Sequence, residues 1–170
     1  MSQDFFSKYS FKVKTVNSIK PLLKKFPRKK KVILCHGVFD VVHPGHIRHL
    51  AYAKTKADIL VISITADKHI TKGTYRPHVP QKLRALNLAA FEMVDYVIID
   101  DNSTPHNLLK NIKPDFFAKG FEYAAKGLPK ATEAENKTLA SYGGKLIFTP
   151  GDVVYSSSKF LNLSLPNLDY

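Results

Sequence analysis

Short apolar runs alternate with amphipathic segments along most of the chain. The runs are rich in β-branched residues and apolar at successive positions, which is typical of strands buried on both faces of a parallel sheet. The amphipathic segments carry apolar residues at helical spacing. This alternation predicts βαβ crossovers and an α/β fold, in which a single domain has a doubly wound parallel sheet with helices on both faces. The predicted strands are 31–37, 58–65, 96–100, 115–119 and 145–149, and the predicted helices are 44–56, 81–93, 106–112 and 131–141.

Residues 1–30 precede the first of these strands and are predicted to form a basic, helical appendage. Apolar residues from Ile19 to Phe26 recur at helical spacing, with Ser18 as a candidate cap, and predict a short helix that lies as a lid on the domain. Ten Lys or Arg and no acid lie between Lys8 and Lys31. Such a run is most often a solvated face; its functional alternatives are contact with nucleic acid, an acidic membrane surface or a phosphorylated small molecule. No recognisable nucleic-acid-binding pattern accompanies it, so no nucleic-acid partner is predicted.

The composition excludes several classes of protein. The 170 residues contain one cysteine, Cys35, so no intramolecular disulfide can form, and zinc sites built on paired cysteines are excluded. The apolar runs fall far short of the roughly 20 residues that span a bilayer, and the N-terminal residues lack the features of a secretory signal. We therefore expect a cytoplasmic protein without a membrane span.

The loop after the first predicted strand holds the densest group of polar side chains. Gly37 allows a sharp turn off the strand, and Gly45 allows a ligand to approach the start of the following helix. His43 and His46 lie three residues apart at that helix N-terminus, where free backbone N–H groups and the helix dipole attract anions. Zinc ligation is disfavoured, because no carboxylate or cysteine at a suitable spacing completes a tetrahedral set. The loop is therefore predicted to be an anion site with two imidazoles.

The pattern Gly-x-Phe-Asp-x-x-His-x-Gly-His at residues 37–46 resembles the signature of the cytidylyltransferase-like nucleotidyltransferases, which carry a His-x-Gly-His motif on a Rossmann-like fold. Residues 119–123, Lys-Gly-Phe-Glu-Tyr, resemble a segment of the nucleotidyltransferase domain that makes ADP-heptose. Residues 154–161 resemble the closing segment of that domain and of glycerol-3-phosphate cytidylyltransferase. The resemblance covers residues 31–162, which are the predicted nucleotidyltransferase domain, and residues 163–170 are predicted to be a C-terminal tail.

The resemblance implies that a phosphate oxygen of an acceptor attacks the α-phosphorus of a nucleoside triphosphate and that pyrophosphate leaves. It implies catalytic roles for His43, His46, Lys54 and Arg84, and nucleotide binding by Gly37, Val38, Phe39, Asp40, Gly45, Lys119, Gly120, Ser156, Ser157 and Ser158. It implies acceptor binding by Lys72, Arg76, Glu122 and Tyr123. The alternative for Lys54 is an exposed helix lysine, and for Asp40 it is a turn-capping side chain. Mg²⁺ is the expected cofactor, carried by the triphosphate oxygens rather than by a protein-only site.

We therefore predict a nucleotidyltransferase that joins a nucleotidyl group from CTP, slightly preferred over ATP, to a sugar phosphate or polyol phosphate. The product is expected to be an activated precursor of a surface glycan. A homodimer is expected, because two-fold dimers are the commonest oligomers. One alternative is an adenylyltransferase that acts on a cofactor precursor, which the segment 119–123 disfavours. The other is a polyanion-binding module with a vestigial pocket.

Overall fold

In the described part of the chain, six parallel strands form a sheet, and helices pack on both of its faces. The structure is a computed structural model that describes residues 3–71, 73, 75–121 and 128–150. The strands are β1 (Val13–Lys14), β2 (Val32–Gly37), β3 (Ile59–Thr65), β4 (Tyr96–Asp100), β5 (Phe116–Gly120) and β6 (Lys145–Thr149). The helices are α1 (Gln3–Ser10), α2 (Val16–Leu23), α3 (Pro44–Lys54), α4 (Gln81–Ala89), α5 (His106–Ile112) and α6 (Lys130–Ala140). This architecture confirms the predicted α/β class with a Rossmann-like, doubly wound sheet. A bilayer crossing needs a longer and more apolar helix than any in these residue ranges.

The order of the strands sets the place where a ligand is expected. The order is β1-β4-β3-β2-β5-β6, so the chain adds strands on one side of β2 and then crosses to its other side. β2 pairs with β3 through Val32 and Ile59, and with β5 through Ile33 and Phe116. Doubly wound sheets bind ligands at the carboxyl ends of the strands where the order reverses. The loops that follow β2 and β5 meet at this point.

Successive residues of the central strand serve two separate cores. Ile33 and Cys35 of β2 pack with α3 and α4 on one face of the sheet. Val32 and Leu34 pack with α2, α5 and α6 on the other face. All four side chains are fully buried, which explains why the strand is apolar at successive positions.

The N-terminal segment contributes to both the sheet and the core. Val13 of β1 pairs with Val97 of β4, which makes β1 the edge strand of the sheet. Thr15 caps α2 through reciprocal hydrogen bonds with Ser18, so the helix begins at Val16 and Ser18 lies within its first turn. Ile19 is fully buried against the second core. The segment predicted as a lid is thus packed into the domain.

Aspartates at the amino edge of the sheet fix the starts of neighbouring strands. Asp58, Asp95 and Asp115 each stand just before a strand. Their carboxylates accept hydrogen bonds from the backbone N–H groups of Lys31 (2.7 Å), Leu60 (2.7 Å) and Val32 (3.0 Å), respectively. Backbone donors beyond the ends of the ladders are thereby satisfied.

Replacing Ile19 with alanine is expected to lower the free energy of unfolding by about 2–5 kcal/mol, because it removes a fully buried side chain from a packed core. Leu22→Ala is the matched control, since Leu22 lies in the same helix and is 46% exposed. Its expected cost is under about 1 kcal/mol. Urea denaturation measures both values. Small and equal effects would mean that α2 is only loosely attached to the domain.

Candidate functional site

His43 and His46 lie side by side at the start of α3. His43 is the N-cap residue, in an extended conformation, and Pro44 begins the helix. The centroids of the two imidazole rings are 3.8 Å apart with an angle of 26° between the ring planes, so the rings are stacked. The ring of Phe39 lies against His46, with a centroid separation of 5.0 Å. The three-residue spacing thus brings both imidazoles to one helix N-terminus.

The protein environment keeps this pair of imidazoles neutral near pH 7. The pKa of His46 is lowered to about 4, chiefly by burial and also by His43 and His49, against a backbone hydrogen bond at Val41 that raises it. Burial also lowers the pKa of His43. The Nδ1 atoms of both rings are buried and have no hydrogen-bond partner among the described residues. A bound anion would provide such a partner and would favour the protonated form of the rings.

The first turn of α3 presents a backbone donor beside the two rings. Pro44 has no N–H, and the amides of His46 and Ile47 donate to the His43 carbonyl at 2.9 and 3.2 Å. The Gly45 amide is the remaining donor of this turn, and the positive end of the helix dipole lies at the same place. The arrangement is suited to a phosphate group.

The loop between β2 and α3 depends on a glycine where it leaves the strand. Phe39 has a positive φ of 50° and its side chain is buried. A Cβ atom added at Gly37 would lie 3.1 Å from Cε2 of Phe39, which is too close without displacement of the ring. Gly37 therefore permits the ring position that supports His46.

Arg84 lies under this loop rather than facing its open side. The side chain is fully buried, and its guanidinium donates to the carbonyl of Val38 in the loop. Its Nε–H group donates to Val79 O (2.9 Å), and its Nη2 group donates to Thr65 O (2.9 Å) and Asp67 Oδ1 (2.6 Å). The structure thus joins Arg84 to the site through the backbone that it holds.

Asp40 also joins the loop to the segment before α4. Its side chain is buried, and Oδ1 accepts a hydrogen bond of 2.9 Å from the Val79 amide. The second oxygen, Oδ2, is buried without a partner among the described residues. One oxygen of Asp40 therefore ties the loop to a distant segment of the chain rather than capping its own turn.

The structure does not bring Lys54 to the two histidines. Lys54 is the last residue of α3, and its Nζ atom lies 2.6 Å from Asp95 Oδ2 and 2.7 Å from the Asp58 carbonyl. Both aspartates stand at the amino edge of the sheet. A helix of 11 residues is about 16 Å long, so its two ends lie at opposite edges of the sheet. Lys54 is thus a structural ion-pair partner far from the predicted anion site.

Lys119 and Gly120 are the last residues of β5. They lie at the carboxyl ends of the strands, next to the point where the strand order reverses. The Lys119 ammonium lies between Thr132 Oγ1, at 3.1 Å, and the carboxylate of Glu135, both on α6. The Lys119 and Glu135 side chains are 11% and 7% exposed, respectively. Lys119 thus stands at the predicted edge but in a buried ion pair that the sequence analysis did not anticipate.

A polar cluster that the sequence analysis missed lies on the same face of the sheet as Lys119. His36 Nδ1 lies 3.0 Å from Ser63 Oγ, and His36 Nε2 lies 3.5 Å from Thr65 Oγ1. Burial lowers the pKa of His36 to about 4, the nearby Asp100 raises it, and Lys119 lowers it. The signal was present in the sequence, because these polar residues stand near the carboxyl ends of otherwise apolar strands.

Several predicted positions add little to this geometry. Arg76 is half-buried in the segment that leads to α4, and a Cβ atom added at Gly73 would lie 3.5 Å from its Cδ. Lys72, Glu122, Tyr123, Ser156, Ser157 and Ser158 lie outside the described residues. Within the described ranges, no group of three or more His, Cys, Asp or Glu side chains could hold a metal ion.

The lowered pKa values predict how the stability of the protein without ligand depends on pH. Unfolded histidine takes up a proton near pH 6.5, whereas folded His36 and His46 do so only near pH 4. The free energy of unfolding is therefore expected to be highest above pH 6.5 and to fall as the pH decreases toward 4. Urea titrations between pH 7.5 and 4 measure the slope, and His46→Gln should reduce it. NMR midpoints near 6.5 for both imidazoles would contradict the assigned burial.

Comparison with known proteins places this geometry in a family. The model of the family described as Cytidylyltransferase-like matches residues 34–160 of this chain. Curated relatives include the Bifunctional protein HldE of Campylobacter concisus, 37% identical over 128 residues, and that of Nitratiruptor sp., 41% identical over 117 residues. These matches cover 74% and 68% of this chain but only 27% and 25% of the relatives. The chain thus spans about a quarter of the length of the curated relatives that it matches.

Solved structures share the fold. The lipopolysaccharide core biosynthesis protein from Thermoplasma volcanium GSS1 superposes with a TM-score of 0.58 and 24% identity, over 72% of this chain and 98% of that one. A pantoate-beta-alanine ligase from Francisella tularensis gives a TM-score of 0.60 and 16% identity, over 89% of this chain and 73% of that one. At these identities the likeness concerns the fold alone. The family match over most of the chain, together with the HldE relatives, shows that the chain belongs to the cytidylyltransferase-like family of nucleotidyltransferases.

Proposed function

We propose that this nucleotidyltransferase transfers a nucleotidyl group from a nucleoside triphosphate to the phosphate of a sugar phosphate or polyol phosphate. An oxygen of the acceptor phosphate forms a bond to the α-phosphorus, the bond from that phosphorus to the oxygen bridging to the β-phosphate breaks, and pyrophosphate leaves. The observation that carries the proposal is the stacked pair of His43 and His46 at a helix N-terminus, where the strand order reverses.

The two imidazoles and the helix N-terminus act on the charge of the phosphates. A neutral imidazole has a single N–H donor, and in His46 it serves the backbone hydrogen bond at Val41, so this ring donates to a phosphate only when it is protonated. The Gly45 amide adds a backbone donor beside the two rings. Asp40 is the only acidic residue between His36 and His46, so little negative charge in this loop opposes a triphosphate. Donors that are fixed before the reaction stabilise charge on the phosphoryl oxygens as the transition state forms.

Mg²⁺ is proposed to enter bound to the oxygens of the triphosphate. The loop after β2 suits the phosphates rather than the ion, since Asp40 is its only carboxylate between His36 and His46. When bound, the ion neutralises part of the phosphate charge. The residues of this chain orient the phosphates through His43, His46 and the Gly45 amide.

The base and the acceptor form the finer part of the proposal. The cytidylyltransferase-like signature and the Ser-Ser-Ser-Lys sequence at residues 156–159 favour CTP, whereas the overall resemblance to the ADP-heptose-forming domain favours ATP. We propose CTP with a slight preference. The resemblance also supports a sugar phosphate or polyol phosphate as the acceptor.

His43→Ala and His46→Ala are each expected to lower kcat by about 10²–10³-fold, because each removes a preorganised donor to the reacting phosphates. Pyrophosphate release measures the rate, with CTP or ATP as donor and a panel of sugar and polyol phosphates as acceptors. Circular dichroism of each variant verifies that the fold is retained.

Lys54→Gln is the matched control for the histidine variants. It removes a charged side chain of α3 that pairs with Asp95 at the opposite edge of the sheet, so kcat is expected to stay within a few-fold of wild type. A large loss of kcat in folded Lys54→Gln, with wild-type rates in the histidine variants, would reverse the assignment of the site.

Thermal unfolding with each of the four nucleoside triphosphates, with and without Mg²⁺, tests the base. Ligand at 100 times its Kd stabilises the folded state by about 2.7 kcal/mol. A selective shift with CTP is the expected result, and a selective shift with ATP would assign the chain to an ADP-sugar-forming reaction. The absence of a shift with all four would contradict the proposed donor site.

A further inference from the structure

A cleft of about 530 Å³ lies at the end of the sheet where the strands begin, opposite the carboxyl ends that hold the histidine pair. Its walls come from the C-terminal ends of α2 and α5, which point toward the starts of β2 and β5. Four lysines line it, namely Lys20, Lys24, Lys25 and Lys113, around an apolar surface that includes Leu23 and Phe26. The volume lies in the range of roughly 300–1,000 Å³ that is typical of small-molecule sites.

Among the described residues, no acid compensates the charge of the cleft. None of the described residues that line it is acidic, and Lys20 donates to Asn111 Oδ1 at 2.6 Å rather than to a carboxylate. Lys24, Lys25 and Lys113 have no ion pair with any described residue. Four lysines that line one cleft create a positive potential that attracts an anion.

Two helices end at the cleft, and their exposed carbonyl groups alone would disfavour an anion. Arg28, which is buried, removes this obstacle. Its guanidinium donates to the carbonyls of Leu23 (3.3 Å), Ile112 (2.8 Å) and Lys113 (2.5 Å). Asp115 is likewise engaged, in ion pairs with Arg28 (3.7 Å) and Lys31 (2.9 Å). The lysines therefore dominate the field inside the cleft.

Two of the lysines have positive φ angles, a backbone conformation that favours glycine. Lys24, which follows α2, has φ 60° and ψ 168°, a region that is essentially restricted to glycine. Lys113, which follows α5, is left-handed at φ 49° and ψ 60°, the conformation for which helix ends favour glycine. Both positions carry lysine despite this cost.

We propose that this cleft is a second anion site, which binds a phosphorylated small molecule with an aromatic or apolar group. The lysines hold the phosphate, and Leu23 and Phe26 pack against the apolar group. The site is at the opposite edge of the sheet from the histidine pair and is independent of the proposed reaction. Phe26 is held in place for this contact by edge-to-face packing on Tyr142, with centroids 5.6 Å apart.

Residue-resolved NMR titration tests the proposal, with inorganic phosphate and phenyl phosphate as probes at low ionic strength. The backbone amide signals of Lys24, Phe26, Asn111 and Lys113 are expected to shift saturably. Phenyl phosphate is expected to bind at least several-fold more tightly than phosphate. Shifts confined to Gly45 and His46, or equal affinity for both probes at the cleft, would overturn the proposal.

The double variant Lys24→Gly/Lys113→Gly separates binding from folding. It is expected to weaken phenyl phosphate binding at the cleft by at least tenfold, while its melting temperature stays at or above that of wild type because glycine relieves the backbone. Lys56→Ala/Lys137→Ala, which removes two lysines outside the cleft, is the control and should retain the affinity. Equal weakening in both double variants, or unchanged binding in the glycine variant, would overturn the assignment.

Discussion

The buried guanidinium of Arg84 connects the core of the domain to the site. A charge without water must be fully hydrogen-bonded, and Arg84 meets this demand with acceptors from three separate segments: the loop after β2, the end of β3 with the residues that follow it, and the segment before α4. The same bonds that satisfy the arginine therefore fix where the loop leaves the sheet. Because Val38 belongs to that loop, the position of the two histidines depends on a helix that does not contain them.

In the parallel sheet, the amino ends and the carboxyl ends of the strands carry different polar side chains. At the amino edge, aspartates bind the backbone at strand starts, and Lys54 pairs with one of them. At the carboxyl edge, the loop after β2 offers imidazoles and a helix N-terminus with one acid. Every crossover helix runs from the carboxyl edge back to the amino edge. A residue at the start of α3 therefore belongs to the site, and a residue at its end belongs to the scaffold.

The fold was predictable from the sequence because apolar runs report burial directly. The predicted strands and helices agree with the structure to within a few residues at most ends, and the histidine pair stands where its spacing indicated. β1 could not be predicted, because two residues carry no periodicity and their pairing depends on β4. The burial of Arg84 and the Lys119–Glu135 ion pair could not be predicted from the sequence either. Both depend on which side chains meet across the fold, which a local pattern does not report.

The neutrality of the histidine pair has a chemical consequence for phosphate binding. Two imidazolium rings stacked at 3.8 Å would repel one another, and burial adds to the cost of charging either ring. The free site therefore avoids positive charge that would need a counter-ion. Under the proposed function, the negative charge of a triphosphate would offset both the repulsion and the loss of hydration, so binding is expected to be coupled to proton uptake by the two rings.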